Sequence, residues 1–347
     1  MLGFLGYFSV SFITAVAIWP VVSLILTIPI LAVIYHRYHA LHFTAAFSAY
    51  LVVLYLLALV CFTLWPMPDN PAAFCASHHL HAQLNPFEFL TDVSRGGLYA
   101  ILQIVMNVLF FVPLGFIMSR VFRWRFTVAL PMCFATSLMI ETAQLTGAFG
   151  FYPCSYRLFD VDDLLWNTVG GVIGFLMALA FARWIPVRTK AADDVVTRPG
   201  FIHRVVSLAI DLTCIYGLAG TLGLGFVVVV VKAGTYNMNG TYGFAGMTIT
   251  SSGMRIVVLA LMAMSFLIFE LMMPVLARGQ TLGGRFTHMT VEGKERTGWR
   301  RTAFYAGRTV VLAAVLGPWG IPALSFAVVL VLLIFWLVKR QMPYDLI

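Results

Sequence analysis

The sequence predicts an all-α polytopic membrane protein with two helical transmembrane domains in series. Three observations predict it. Of 347 residues, 61% are hydrophobic and only 10% are charged, against roughly 25% charged in a soluble domain. Mean hydropathy is +0.92. Apolar runs of about 20 residues, the length that crosses a bilayer, recur along the chain and exclude a single buried core. No succession of alternating apolar and polar strands occurs, so helices are expected rather than a barrel. The formal net charge is +8, but the basic residues cluster between apolar runs, where they set topology. They imply no nucleic-acid partner; the partner they imply is the lipid bilayer.

The first run, 8–34, is long enough to span, and the first basic side chain is Arg37. It reads as a retained anchor, not a cleaved signal. A second run covers 43–65. A polar stretch, 66–97, holds Asp69, Glu88, Asp92 and Arg95. The third run, 98–118, precedes Arg120, Arg123 and Arg125. The fourth, 126–148, leads to a loop with Arg157, Asp160, Asp162 and Asp163, and the fifth covers 164–184. Residues 188–197 read as a cytoplasmic linker, dividing a domain 1–187 with five spans from a domain 198–347. The second domain carries runs at 204–231 and 254–275, a polar region 276–307, and a last apolar stretch 309–338.

Basic loops at 120–125, 183–204 and 276–308 face the cytoplasm under the positive-inside rule, which puts the amino terminus outside. The last stretch tests that scheme. As one helix it would be ~45 Å long, too long for a ~30 Å hydrocarbon core. Residues 317–322 (GPWGIP) interrupt it, so a half-helix or tight hairpin with a cytoplasmic carboxyl terminus is expected. Within 276–308, the pattern GRFTHMTV, EGKE, RTGW predicts a small cytoplasmic β-hairpin turning at Glu292 and Gly293. Its basic residues either rest on anionic headgroups or serve only as a topology signal.

Two polar constellations lie in this apolar chain. Asn107, Phe111 and Gly115 recur at spacing four, on one helical face. Pro113 frees a backbone carbonyl nearby. Glu141 and Gln144 are three apart in the fourth run. Asp160, Asp163 and Asn167 share a face that continues to Gly170 and Gly174, a small-xxx-small pair able to pack closely against a neighbouring helix. Glu141 is expected ~22 Å from the cytoplasmic end of its helix, and Asn107 ~13 Å below the outer end of its own. Both fall in the outer half of the membrane. These groups read either as a cavity open to the outside or as hydrogen-bonding glue between helices, with Asp160 or Asp162 capping the fifth run. Glu141 fits the second reading least well, because a carboxyl in hydrocarbon takes a proton or finds a cation. Arg157 is its nearest candidate.

The ordered set N-x-x-x-F-x-P-x-G, IE-x-x-Q and R-x-x-D-x-x-D-x-x-x-N-x-x-G resembles the VanZ-like membrane proteins. It is carried by Asn107, Phe111, Pro113 and Gly115, by Glu141 and Gln144, and by Arg157, Asp160, Asp163, Asn167 and Gly170. The resemblance covers about residues 1–185. It implies a role in the bacterial cell envelope and an association with resistance to glycopeptide antibiotics, teicoplanin above all. The partners it implies are a cell-wall precursor, a lipid or a glycopeptide. It implies no reaction.

In the second domain, Arg204 and Asp211 are two turns apart on one helical face, with Glu270 near the same inner boundary. With GQTLGGRF at 279–286, Arg308 and Asp345, they resemble an RDD domain, whose arginine and two aspartates match Arg204, Asp211 and Asp345. The residue after GQTLG is Gly284 where that family usually has Lys. This resemblance implies a membrane transporter of a cation or proton. Asp and Glu facing Arg suit a proton relay or, equally, a static ion pair.

Cys61, Cys133 and Cys214 read as small core residues. Cys75 and Cys154 lie in the outer loops, where a disulfide between them is a hypothesis. Cys75, His78, His79 and His81 form C-x-x-HH-x-H, without the second ligand cluster of a zinc finger, and read as a polar loop without metal. No cofactor fingerprint or nucleophile motif is present. An enzyme acting on a lipid-linked substrate, with Glu141 or Asp163 as acid or base, therefore ranks last.

Overall fold

Among the described residues, seven helices of the computed structural model are long and apolar enough to cross a membrane. The structure describes residues 2–78, 80–185, 194–237, 239–316 and 322–347, with backbone alone at 2–8 and 322–325. The chain divides into two compact units, Met1–Ile25 with Phe47–Thr189, and Leu26–Ala46 with Lys190–Ile347. Residues 188–193 of the expected linker lie outside the described residues.

The first unit begins with α1 (Leu2–Tyr38), whose second half belongs to the other unit. Then follow α2 (Phe43–Leu64), the short α3 (Pro71–Ser77) and α4 (Glu88–Gly96), α5 (Leu98–Arg120), α6 (Phe126–Leu145), a single turn α7 (Gly147–Gly150) and α8 (Val161–Trp184). The Trp19 indole donates to the Tyr50 carbonyl at 3.0 Å and ties α1 to α2. Asn70 caps α3 by accepting from the Ala73 amide, with Pro71 in the first turn, where its missing N–H costs nothing. The core gathers Leu59, Phe111, Leu114, Cys133, Ile140 and Phe175.

Among the described residues, α5 and α8 pack backbone against backbone. A Cβ on Gly170 would collide with the Val108 carbonyl oxygen, and one on Gly174 with that of Val112. The small-residue stripe thus brings the two backbones into contact, as it does between membrane helices generally. Beside the Pro113 interruption, the Tyr55 hydroxyl donates to the Phe110 carbonyl at 2.7 Å. Cys75 and Cys154 are bonded, so the disulfide hypothesis holds, and Cys75 is no longer a metal ligand. His79 lies outside the described residues.

The second unit holds α9 (Phe201–Ala233), strands β1 (Thr235–Asn237), β2 (Thr241–Phe244) and β3 (Met247–Thr250), then α10 (Ser251–Leu267), a π-helical turn (Ile268–Met272), α11 (Met273–Leu276), α12 (Leu282–Phe286), α13 (Gly298–Leu316) and α14 (Pro322–Lys339). The strands form an antiparallel sheet in the order β1-β2-β3. Tyr35, from α1, packs with Val206 and stacks on His203 at 4.1 Å. His36 and His39 stack on Phe286 and His288.

The sheet does not lie where the sequence predicts the hairpin. Residues 285–300 contain the end of α12, an irregular stretch and the start of α13, and the three strands follow α9 instead. The backbone of 288–291 has other partners: the Val196 amide donates to the His288 carbonyl, the Thr290 amide to Val196, and the Val291 amide to Gly279. Met289 and Val291, at strand-like spacing, are buried in a core with Phe304, Tyr305, Met342 and Tyr344. The alternation is therefore real, but it pairs with Val196 and not across Glu292 and Gly293.

Residues 309–338 are not one helix. α13 ends at Leu316 and α14 starts at Pro322; the intervening 317–321 lie outside the described residues. Tyr344, beyond the end of α14, packs on Phe304 near the start of α13, with ring centroids 5.8 Å apart. The two helices therefore run antiparallel, and the chain returns to the level at which α13 began.

Candidate functional site

Four elements meet at the polar groups of the first unit. The last turn of α2 leaves carbonyls without intrahelical partners. The Thr63 carbonyl accepts from Gln144 Nε2 at 2.8 Å and from Arg157 Nη1 at 2.7 Å. A guanidinium at a helix carboxyl end also meets the negative pole of that helix. On α6, one turn before Gln144, Glu141 Oε2 accepts from the Asp160 amide at 3.1 Å. Asp160 is the cap of α8: its side chain accepts from the Asp162 amide at 2.8 Å and from Gln83 Nε2 at 3.1 Å. Burial pushes the Asp160 carboxyl above its ordinary range, against the Asp162 amide and Gln83, which favour the charged form. One turn into α8, Asp163 Oδ1 accepts from the Asn107 side-chain Nδ2 of α5. A further turn on, Asn167 donates to Ser137 Oγ on α6 at 2.9 Å.

These groups surround a cavity of about 620 Å³. All seven residues of the first constellation line it: Asn107, Glu141, Gln144, Arg157, Asp160, Asp163 and Asn167. Glu141 is only 2% exposed. The remaining wall includes Thr63, Gln103, Tyr99, Phe62, Phe110 and Phe111. Tyr99 and Gln103 escaped the sequence reading, although a signal exists: they extend the spacing-four face of Asn107 and Phe111 by two turns. Gln83 and the Thr63 carbonyl carried no such signal. Among the described residues no group of three His, Cys, Asp or Glu side chains is arranged to hold a metal ion.

In the second unit the predicted set is distributed over three contacts. Arg204 pairs with Asp345 at 2.8 Å rather than reaching along its own helix to Asp211. Asp211 instead accepts from the Gly283 amide at 2.7 Å. Gly283 sits so close to α9 that a Cβ would collide with the Ser207 carbonyl oxygen. The GQTLGG segment is thus a close-approach turn fastened by Asp211, with Thr281 capping α12. Glu270, 0% exposed, forms an ion pair with Arg308. Glu270 lies in the π-helical turn, and Arg308 Nη1 also bonds its carbonyl oxygen at 2.6 Å. Such turns disturb the regular backbone ladder and recur at functional sites. Glu270 Oε1 has no hydrogen-bond partner among the described residues. A smaller cavity of about 130 Å³ is lined by Arg204, Asp211, Arg308 and apolar residues of α9, α13 and α14.

Fold and cavity together define a helical multi-pass membrane protein with a cavity lined by polar and charged side chains in its first unit. Residues 52–182 match the VanZ/LLP1 family, so the chain contains a VanZ-like domain. Every residue lining the larger cavity falls inside that match. No curated protein and no solved structure matches the chain at significance.

Proposed function

We propose that the protein works in the bacterial cell envelope, where its VanZ-like domain contributes to resistance to glycopeptide antibiotics such as teicoplanin through the polar cavity. One observation carries this reading: the seven polar and charged residues of the motif, dispersed from Asn107 to Asn167 in sequence, line a single chamber. These groups pair across helices, but a set that served only as interhelical glue would also fill its own space, and about 620 Å³ beside them stays open. In this reading the chain lies in the cell membrane with its amino terminus outside and its carboxyl end cytoplasmic, and the cavity occupies the outer half. The Lys and Arg distribution between spans supports that orientation. The test is susceptibility. A deletion strain becomes more sensitive to teicoplanin, and the wild-type gene restores the level whereas Glu141→Gln does not. Full restoration by Glu141→Gln rejects the reading.

A second reading concerns residues 198–347: an RDD-type transporter of a cation or proton, using Arg204, Asp211, Glu270 and Asp345. The observation that favours it is Glu270, held by Arg308 at a π-helical turn with one carboxylate oxygen left over. A buried carboxylate of this kind is a natural proton or cation binder. Purified protein in liposomes then moves Na⁺ or H⁺, and Asp211→Asn stops it. Transport unchanged by Asp211→Asn, or none from the wild type, rejects this reading.

A further inference from the structure

The larger cavity has a sign, a size and a wall chemistry that narrow what it holds. Glu141, Asp160 and Asp163 line it beside a single guanidinium, Arg157. Anionic groups withdrawn from water require a proton or a cation. Glu141 is 2% exposed, and its Oε2 accepts from the Asp160 amide. A volume of about 620 Å³ is that of an organic-ligand pocket and far exceeds a bare ion. Tyr99, Phe62 and Phe110 line the same space, with Phe62 and Phe110 stacked at 5.1 Å. Aromatic faces attract cations and accommodate aliphatic chain.

We propose that this cavity seats the primary ammonium group of an amphiphile, with Glu141 and Asp163 receiving its N–H donors and the aromatic wall its apolar part. The proposal deepens the cavity reading above and rests on it. A primary ammonium carries three donors, which suits several acceptors at once. A quaternary ammonium has none and would leave those acceptors unpaired at a cost. The ammonium can come from an aminated lipid headgroup or from a soluble amine that carries an apolar chain.

The full chain, purified in detergent, is titrated with lysophosphatidylethanolamine, lysophosphatidylcholine, lysophosphatidylglycerol and ethanolamine, and binding is read by calorimetry. Lysophosphatidylethanolamine binds saturably, and the choline and glycerol heads bind at least tenfold more weakly. Glu141→Gln and Asp163→Asn each weaken the ethanolamine-headed lipid about tenfold. If one variant fails to fold, the other carries the comparison. Ethanolamine binds much more weakly than the lipid, because it lacks the apolar part; binding as tight as the lipid overturns the amphiphile assignment. Equal binding of all three lipids, an unchanged affinity in a folded variant, or binding of neither amine overturns the proposal. Amine binding in a protein whose deletion leaves teicoplanin susceptibility unchanged rejects the resistance reading alone. A Glu141-dependent phenotype without amine binding rejects this proposal alone.

Discussion

Glu141 Oε2 receives the Asp160 amide at 3.1 Å, so the most deeply buried carboxylate of the first unit is tied to the residue that caps α8. One contact links the carboxyl-terminal part of α6 to the start of α8. Glu141→Ala strands that amide and costs about 1–3 kcal/mol. Glu141→Gln keeps a carbonyl acceptor and loses little. Thermal unfolding in detergent separates the two variants, and equal losses would show that the amide bond is not what Glu141 supplies to the fold.

Gly174 faces the Val112 carbonyl with no room for a side chain. Gly174→Val pushes α8 off α5, and overpacking of this kind costs about 1–3 kcal/mol. Gly220, in α9, has nothing within 4 Å of the Cβ position. Gly220→Ala is accordingly neutral or slightly stabilising. Melting temperatures of the two purified variants check the contrast.

The Cys75–Cys154 bond spans a sequence separation of 79 residues. Constraining a loop of that length stabilises by about 2–4 kcal/mol, toward the lower end here because membrane insertion already restricts the unfolded chain. Mass spectrometry without reductant finds no free thiol at either position, and Cys75→Ser lowers the melting temperature. Two alkylated thiols in the untreated protein would contradict the bond.

Asp160 is pulled two ways: the cap of α8 favours its charge, and burial, the larger influence, opposes it. Its folded value is therefore raised above the ordinary one. The stability it contributes is full below its unfolded value, about 3.9, and declines as pH rises through the folded value. Asp160→Asn removes that decline from the stability-versus-pH curve of the purified protein above about pH 4, and a curve with unchanged slope there would refute the assignment.

Arg308 and Glu270 are both buried, at 5% and 0% exposure. Removing one partner leaves a charge without compensation: Arg308→Ala costs about 3–5 kcal/mol, whereas replacing both residues with Met is near neutral. A double-mutant cycle by denaturation in detergent measures the coupling. Coupling near zero would mean that the pair contributes nothing to holding α13 against the π-helical turn.

Much of the candidate site was legible because the cues are local. Asn107, Glu141 and Asp163 stand out as polar groups in apolar runs, and helical spacing puts each on a definite face. The same spacing reaches Gln103 and Tyr99 once the face of Asn107 is followed backward. The Thr63 carbonyl, where Gln144 and Arg157 converge, was not legible, since a backbone acceptor has no signature in the side-chain string. The hairpin expected around Glu292 and Gly293 failed for a related reason. Alternation at Met289 and Val291 reports burial at every second residue, and it does not say which strand edge supplies the partner.

The sequence by itself determined the helical, membrane-spanning character of the chain, the closeness available at Gly170 and Gly174, and the set of polar residues that belong together in the first unit. Apolar run length, small-residue spacing and the 3.6-residue period are properties of neighbouring positions, so they need no knowledge of the fold. The tertiary structure alone decided that Asp160 is the cap and also the donor to Glu141, that Arg204 meets Asp345 while Asp211 fastens the Gly283 turn, and that seven separated side chains enclose one cavity. Those choices depend on which helix ends and backbone groups come together, and distance along the chain does not encode that.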